Sequence, residues 1–184
     1  MTDLSFRSVC TADISLVFSW LAEPHVRAFW DSSQAHREDI INFSQGRPTP
    51  SGYFGGKFSY WLGMADGIPF ALIMTVLTGP GDPVDSIKLA HLSKTGTTYG
   101  IDYMIGNPAY VGKGYGARTL QSFITFFQSD VDPTSDVFLI DPAADNPRAR
   151  HVYEKAGFKY VATFVSEEPG STCHGKKHFL LVKS

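Results

Sequence analysis

The sequence predicts an α/β protein whose mixed central sheet carries helices on both faces. Three observations predict it. Asp66-Gly67 joins two apolar runs, residues 59–65 (SYWLGMA) and 68–77 (IPFALIMTVL), and such a pair is the strongest short hairpin signal. Residues 99–158 then read in turn as strand, glycine loop, amphipathic helix, strand, capped helix and turn. Within them VFLI (137–140) is a continuous apolar run, as expected of a strand covered on both faces. Sheet strands interleaved with amphipathic helices assemble in layers around one core.

Taken in order, residues 4–7 form a short first strand. Thr11 or Asp13 caps the following helix, whose buried stripe is Ile14, Val17, Phe18 and Leu21, and Pro24 ends it. Residues 25–46 hold one or two short helices with Phe29 and Trp30 at their junction, and residues 47–52 (RPTPSG) are a loop by composition. The hairpin follows. Residues 78–98 begin with a turn cluster (TGPGDP) and include DSIKLAHLSK, a short helix or an excursion. Strands are expected at 99–106, 137–140, 158–165, where Phe158, Tyr160, Ala162 and Phe164 alternate, and 178–182. No repeat or second domain boundary interrupts residues 1–184, a length that suits one domain.

Composition narrows the function classes. Apolar residues make up 43% of the chain, which excludes a disordered polar segment. A net charge of −2 gives no basic field for nucleic acid or an anionic membrane, so the expected partner is a small molecule. No apolar run approaches the roughly 20 residues needed to span a bilayer, and the N-terminus lacks a signal-peptide pattern, so a cytoplasmic location is expected. Cys10 and Cys173 read as free thiols, with no neighbours that would activate them. His174 and His178 lie four apart, but their glycine and lysine surroundings suggest a hairpin turn and no third ligand is evident; no metal is expected.

The chemistry concentrates after residue 98. Residues 111–116 (VGKGYG) lead straight into a helix with apolar positions Ala117, Leu120, Phe123, Ile124 and Phe127. A helix start offers unpartnered N–H groups and partial positive charge, and glycines let a bulky anion approach. The loop is therefore expected to hold phosphate. It is not a Walker A loop, and a dinucleotide fold would need an acidic anchor about 20 residues on, for which Asp136 and Asp141 stand in range. Asn146-Pro147 is an N-cap followed by a first-turn proline, and Gly157 a left-handed C-cap. Asp102 lies in YGIDYMIG, an otherwise apolar strand; burial there would raise its carboxyl pKa towards a range useful for taking a proton.

Together, VGKGYGART and DNPRARHVYEKAGF resemble the coenzyme A-binding core of the GNAT acetyltransferase superfamily. The run GID, GKGYG and YEKAGF is most similar to the bacterial aminoglycoside 6′-N-acetyltransferases, with the siderophore N-acyltransferases sharing the layout. The close resemblance covers about a third of the chain. It implies a mostly antiparallel sheet with one splayed parallel strand pair, 99–106 and 137–140. It implies acetyl-CoA as cosubstrate, its pyrophosphate on the amides of Val111, Gly112, Lys113, Gly114, Tyr115, Gly116 and Ala117. Its pantetheine arm would lie against Met104 and Ile105, with Asn146 capping the last helix and bonding the same arm. The Lys113 side chain either reaches phosphate or points to water. Val111 departs from the Gln or Arg that often opens the loop, though the aminoglycoside branch tends to be apolar there.

By the same resemblance Asp102 is base or amine anchor, and Tyr153 is the acid that protonates the thiolate. Tyrosine near 10 against a thiol near 8.5 makes that transfer uphill by only about 2 kcal/mol. A primary ammonium must lose a proton first, at about 4.6 kcal/mol at pH 7. Trp30, Asp82 and Asp102 are the implied acceptor-binding residues. Lys88, His91 and Lys94 replace the acidic cluster expected before the GID strand, which disfavours a polycation. The implied activity is acetyl transfer from acetyl-CoA directly to an amine, by a monomer or homodimer. An acyl-CoA-binding sensor without turnover is the alternative.

Overall fold

A computed structural model describes residues 2–167 and 174–184. Seven strands form one sheet in the order β1-β2-β3-β4-β5-β7-β6, with β4 and β5 its parallel pair. The chain divides into two compact units, Met1–Val76 with Tyr103–Tyr115, and Leu77–Asp102 with Gly116–Ser184.

The first unit holds β1 (Leu4–Ser8), α1 (Ile14–Ala22), α2 (Pro24–Arg27), α3 (Gln34–Ser44), β2 (Ser59–Ala65), nearly all of β3 (Ile68–Thr78) and the end of β4 (Thr97–Ile105). Asp66 and Gly67 both take positive φ, 49° and 77°, the conformation a two-residue hairpin turn needs, and Ala65 pairs with Ile68 across it. α1 buries Val17, Trp20 and Leu21 against Ile40, Tyr60, Leu62, Leu72 and Met104. Phe18 is only half-buried, and Trp20 is the larger core ring. Pro24 does more than end α1: it takes the first position of α2. Asp13 does not cap α1 with its side chain. Its carboxylate accepts the Cys10 N–H at 2.9 Å and two guanidinium bonds from Arg7 at 2.6 and 2.8 Å, which hold its pKa down at about 2. Behind α3, the buried Asp39 carboxylate accepts from Tyr60 Oη and Arg47 Nη1, both at 2.7 Å, and ties the helix to β2.

The second unit holds α4 (Ser86–Leu89), most of β4, α5 (Tyr115–Phe126) from Gly116 onward, β5 (Ser135–Ile140), α6 (Pro147–Lys155), β6 (Lys159–Val165) and β7 (Lys177–Lys183). α5 buries Gly116, Thr119, Leu120, Phe123 and Ile124, and a π turn then carries Phe127 into the same core. β6 differs from the alternation expected of it. It is the sheet's last strand, its Tyr160 is exposed, and only Ala162 and Phe164 are half-buried. The alternation there marks two faces of an edge, not a core face. Cys10 is exposed and free, and Cys173 lies outside the described residues.

Candidate active site

The site begins where the parallel pair stops. β4 and β5 pair from Thr97↔Ser135 to Gly100↔Leu139, and β4 then continues to Ile105. Asp102 stands on that continuation and is exposed. The apolar run around it therefore does not bury it, contrary to the expectation from the strand pattern. Pattern alone missed this because a strand without a neighbour on one side exposes what a paired strand would cover. Met104 is buried in the core beneath α1, whereas Tyr103 and Ile105 pack on the opposite side with Phe70, Tyr110 and Tyr115.

At the end of β4, Gly106 is required for a reason the sequence did not disclose. A Cβ at that position would meet Trp20 Cδ2 at 2.2 Å and Cγ at 2.4 Å. The indole of α1 lies directly on the strand end. One residue earlier, the Ile105 carbonyl accepts a hydrogen bond from His25 Nε2 at 2.9 Å.

The glycine loop is built as a turn that no other residue type would favour. Gly112 and Gly114 take φ of 80° and 81°, and α5 starts at Tyr115. A Cβ on Gly114 would meet nothing within 4 Å, so the loop surface is open there. Val111 is half-buried and Lys113 exposed. Both ends of the loop are fixed by rings: Tyr110 stacks on Phe70 at 4.8 Å, and Tyr115 lies 5.4 Å from Phe70 and 5.1 Å from Tyr110. Phe70 and Tyr110 drew no attention as single residues in the sequence. Their role depends on β3 lying beside β4, which only the fold supplies.

In the second unit, α6 packs on the first turn of α5. A Cβ on Gly116 would meet Val152 Cγ1 at 2.7 Å, so that glycine serves helix packing and not backbone freedom. Ala117 beside it is half-buried. Asn146 caps α6 as expected, its side chain accepting from the Ala149 N–H at 3.1 Å, and Gly157 closes the helix end at φ 95°. Tyr153 is 7% exposed and tilts against Phe158 with centroids 6.4 Å apart. It belongs to the buried stripe of α6, whatever its hydroxyl does.

Trp30 is half-buried against the helical core, 6.5 Å from the His36 ring, and its indole nitrogen has no hydrogen-bond partner among the described residues. Asp82 accepts the Gly79 N–H at 2.7 Å, which shapes the turn before α4. Lys88 is buried: its Nζ is 3.1 Å from Asp141 and 3.9 Å from Asp85. That pairing also occupies Asp141, and Asp136 accepts from Thr95 at 2.6 Å, so both candidate dinucleotide anchors serve structure. Among the described residues, no group of three or more His, Cys, Asp or Glu could hold a metal ion, and no helix is long and apolar enough to cross a membrane.

Residues 9–165 match the family model of the acetyltransferase (GNAT) domain. The chain belongs to that GNAT family. It is 25% identical over 166 residues to the type 1 aminoglycoside N(6')-acetyltransferases of Klebsiella pneumoniae and Serratia marcescens, covering 90% of this chain and 78% of theirs. Among solved structures it is similar to an aminoglycoside N(6')-acetyltransferase from Legionella pneumophila, with a TM-score of 0.74, 21% identity, and 98% and 91% of the two chains covered. It is also similar to the aminoglycoside acetyltransferase AAC(6')-Ib in complex with coenzyme A and kanamycin, with a TM-score of 0.73, 20% identity, and 99% and 95% covered. The expected GNAT fold is therefore present, with its one parallel pair in an otherwise mostly antiparallel sheet.

The residues present fit the cosubstrate of a GNAT acetyltransferase. Two left-handed glycines and an open surface at Gly114 precede a helix start, which is an anion site on physical grounds. The last residues of β4 run on beyond the β5 ladder towards that loop, and an extended chain with amide groups can add to such a strand edge.

Proposed function

We propose that residues 1–184 act as a single acetyltransferase domain that moves an acetyl group from acetyl-CoA to an amine of a polar small molecule of the aminoglycoside kind. The observation that carries this reading is the run of β4 past its last pair, Gly100↔Leu139, into a loop turned by Gly112 and Gly114 at the head of α5. The amides from Val111 to Ala117, with Lys113 beside them, would hold the pyrophosphate. Met104, Ile105 and Asn146 would hold the pantetheine arm. When bound, the cosubstrate supplies an activated acetyl thioester.

Asp102 acts as anchor for the acceptor's ammonium, standing exposed on β4 where an arriving cation can reach it. Trp30 and Asp82 contribute further acceptor contacts, and Tyr153 returns a proton to the departing thiolate. The aminoglycoside kind is supported by the relatives and also by Lys88, whose charge is spent on Asp141 and Asp85 instead of facing an acceptor.

The test is calorimetry with coenzyme A, followed by release of free thiol from acetyl-CoA with kanamycin, ribostamycin and spermidine. Binding with turnover of at least one amine is expected. Binding of coenzyme A without turnover of any amine would refute the enzyme in favour of a sensor, and absence of binding would refute both.

A further inference from the structure

His25 joins the site through one hydrogen bond whose direction is unambiguous. Its Nε2 lies 2.9 Å from the Ile105 oxygen. A peptide carbonyl only accepts, so Nε2 carries the hydrogen, and in the neutral ring Nδ1 carries the lone pair. The position of that carbonyl is fixed by its own peptide. The Gly106 N–H donates to the Phe70 carbonyl at 2.9 Å, on the β3 side of β4. No peptide bond among the described residues is cis, so the Ile105 carbonyl of the same planar unit points to the opposite edge of the strand. His25, itself exposed, thus sits over the edge of β4 away from β3, three residues beyond Asp102. Trp20, whose ring covers Gly106, lies against the same strand end, and Pro24 starts the short helix that carries His25.

We propose that His25 is the base that takes the proton from the acceptor's ammonium, directly or through one water. This rests on the acetyltransferase reading and places the base at the end of β4, where His25 is tied to Ile105. A neutral imidazole has one donor and one acceptor nitrogen, so His25 can hold a carbonyl and still take a proton. The tautomer set by Ile105 leaves it ready to accept at Nδ1, and the imidazolium that results keeps its bond to the same carbonyl. In the balanced step, the ammonium loses one proton to Nδ1, which passes it to water. The freed nitrogen pair forms the C–N bond at the thioester carbon, and the C–S bond breaks with its electrons on sulfur. The second proton lost by nitrogen ends on that sulfur as the thiol.

The test compares His25→Gln, which keeps an N–H within reach of the Ile105 carbonyl but cannot take a proton, with His25→Ala, which removes both. Nitrogen-15 spectra of the parent protein, calorimetry with coenzyme A, and kcat on the fastest of kanamycin, ribostamycin and spermidine are the readouts. The expected result is an Nε2–H tautomer for His25, coenzyme A affinity within about twofold of the parent in both variants, and kcat lowered about a hundredfold or more in both. A His25→Gln variant that turns over at the parent rate would reduce His25 to a tether and overturn the proposal. So would an Nδ1–H tautomer, or a loss of coenzyme A affinity that accounts for the fall in rate. A parent protein that binds coenzyme A but acetylates none of the three amines overturns the enzyme reading and this one with it, whereas a failure confined to the variants' behaviour leaves the enzyme reading standing.

Discussion

Replacing Gly106 by alanine should destabilise the protein, against the usual sign of such a change. At a position whose backbone an alanine can adopt, Gly→Ala commonly stabilises by about 0.4–1 kcal/mol, because the unfolded chain has fewer states to lose. Gly106 is not in the left-handed region, so backbone strain does not argue against alanine there. The obstacle is Trp20. The new methyl would stand 2.2, 2.4 and 2.5 Å from Cδ2, Cγ and Cε3, more than about 1 Å inside the separation at which carbon atoms attract. The indole is 4% exposed and packs among Leu62, Met74 and Met104, so the ring cannot swing aside without disturbing α1 and the strands beneath it. Overpacking of a filled core typically costs 1–3 kcal/mol, and the net after the entropic gain is about 2 kcal/mol. At about 2–4 °C per kcal/mol for a chain of this size, Tm should fall by about 4–8 °C, as read by calorimetry or urea unfolding. Gly81→Ala is the control: nothing lies within 4 Å of its Cβ, and it should be neutral or slightly stabilising. A second control is the cycle with Trp20→Leu, in which the Gly106→Ala penalty should shrink by at least about 1 kcal/mol. An unchanged or raised Tm for Gly106→Ala, or a penalty that persists in the Trp20→Leu background, would refute the argument that this ring occupies the space above β4.

Four other outcomes are expected. Asn146→Ala removes the acceptor of the Ala149 N–H and should cost about 1 kcal/mol by urea unfolding, with Asn146→Ser restoring most of it. Lys88→Ala leaves Asp141 and Asp85 without their shared cation and should cost about 3 kcal/mol, while exposed Lys94→Ala should stay within about 0.5 kcal/mol in the same assay. The Arg7 guanidinium depresses the folded Asp13 pKa to about 2 from 3.8, so the stability from this pair is complete above the unfolded value and disappears as pH falls through the folded one. Urea midpoints of the parent and Arg7→Ala should therefore differ at pH 6 and converge as pH drops from about 4 towards 2. Asp102→Asn should raise KM for the amine by about tenfold or more while leaving coenzyme A affinity unchanged in calorimetry; a fall in kcat at saturating amine with KM intact would reverse its assignment as anchor.

The elements that local chemistry dictates were legible in the sequence. Asp66-Gly67 gave the hairpin its register, Asn146-Pro147 and Gly157 bounded α6, and the glycines of VGKGYG turned the chain into α5 where the pattern placed it. What escaped depends on which strands become neighbours. Asp102 reads as a buried carboxylate only if β4 is covered along its full length; the β5 ladder stops at Gly100, and Asp102 is exposed. Tyr160 alternates with Phe158 and Ala162 as a core residue would, yet β6 has a single neighbour and shows that ring to solvent. Phe70, Trp20 and His25 reach Tyr110, Gly106 and Ile105 from 40, 86 and 80 residues away along the chain, and no window of sequence joins them.

The charge of the loop before β4 shows how burial reverses a conclusion drawn from composition. Between residues 82 and 100 the sequence carries Asp82 and Asp85 against Lys88 and Lys94, with His91 between, and on sequence alone the lysines repel a polycation. In the fold, Lys88 lies buried between Asp85 and Asp141, and Asp85 also accepts the Glu167 N–H at 2.6 Å and the Ser166 hydroxyl at 3.3 Å. A cation neutralised at contact distance and removed from solvent exerts little field beyond it, whereas an exposed charge is felt within a Debye length of about 8 Å at physiological salt. Of the two lysines only Lys94 remains exposed, on the loop that leads into β4, while Asp102 stands exposed further along the same strand. With Lys88 neutralised, the repulsion of a cationic acceptor that composition implied is removed, and raising ionic strength from about 0.05 to about 0.5 M should not lower KM for kanamycin. A KM that falls with salt would mean that net positive charge faces the acceptor after all, and would return the substrate to the neutral or anionic amines.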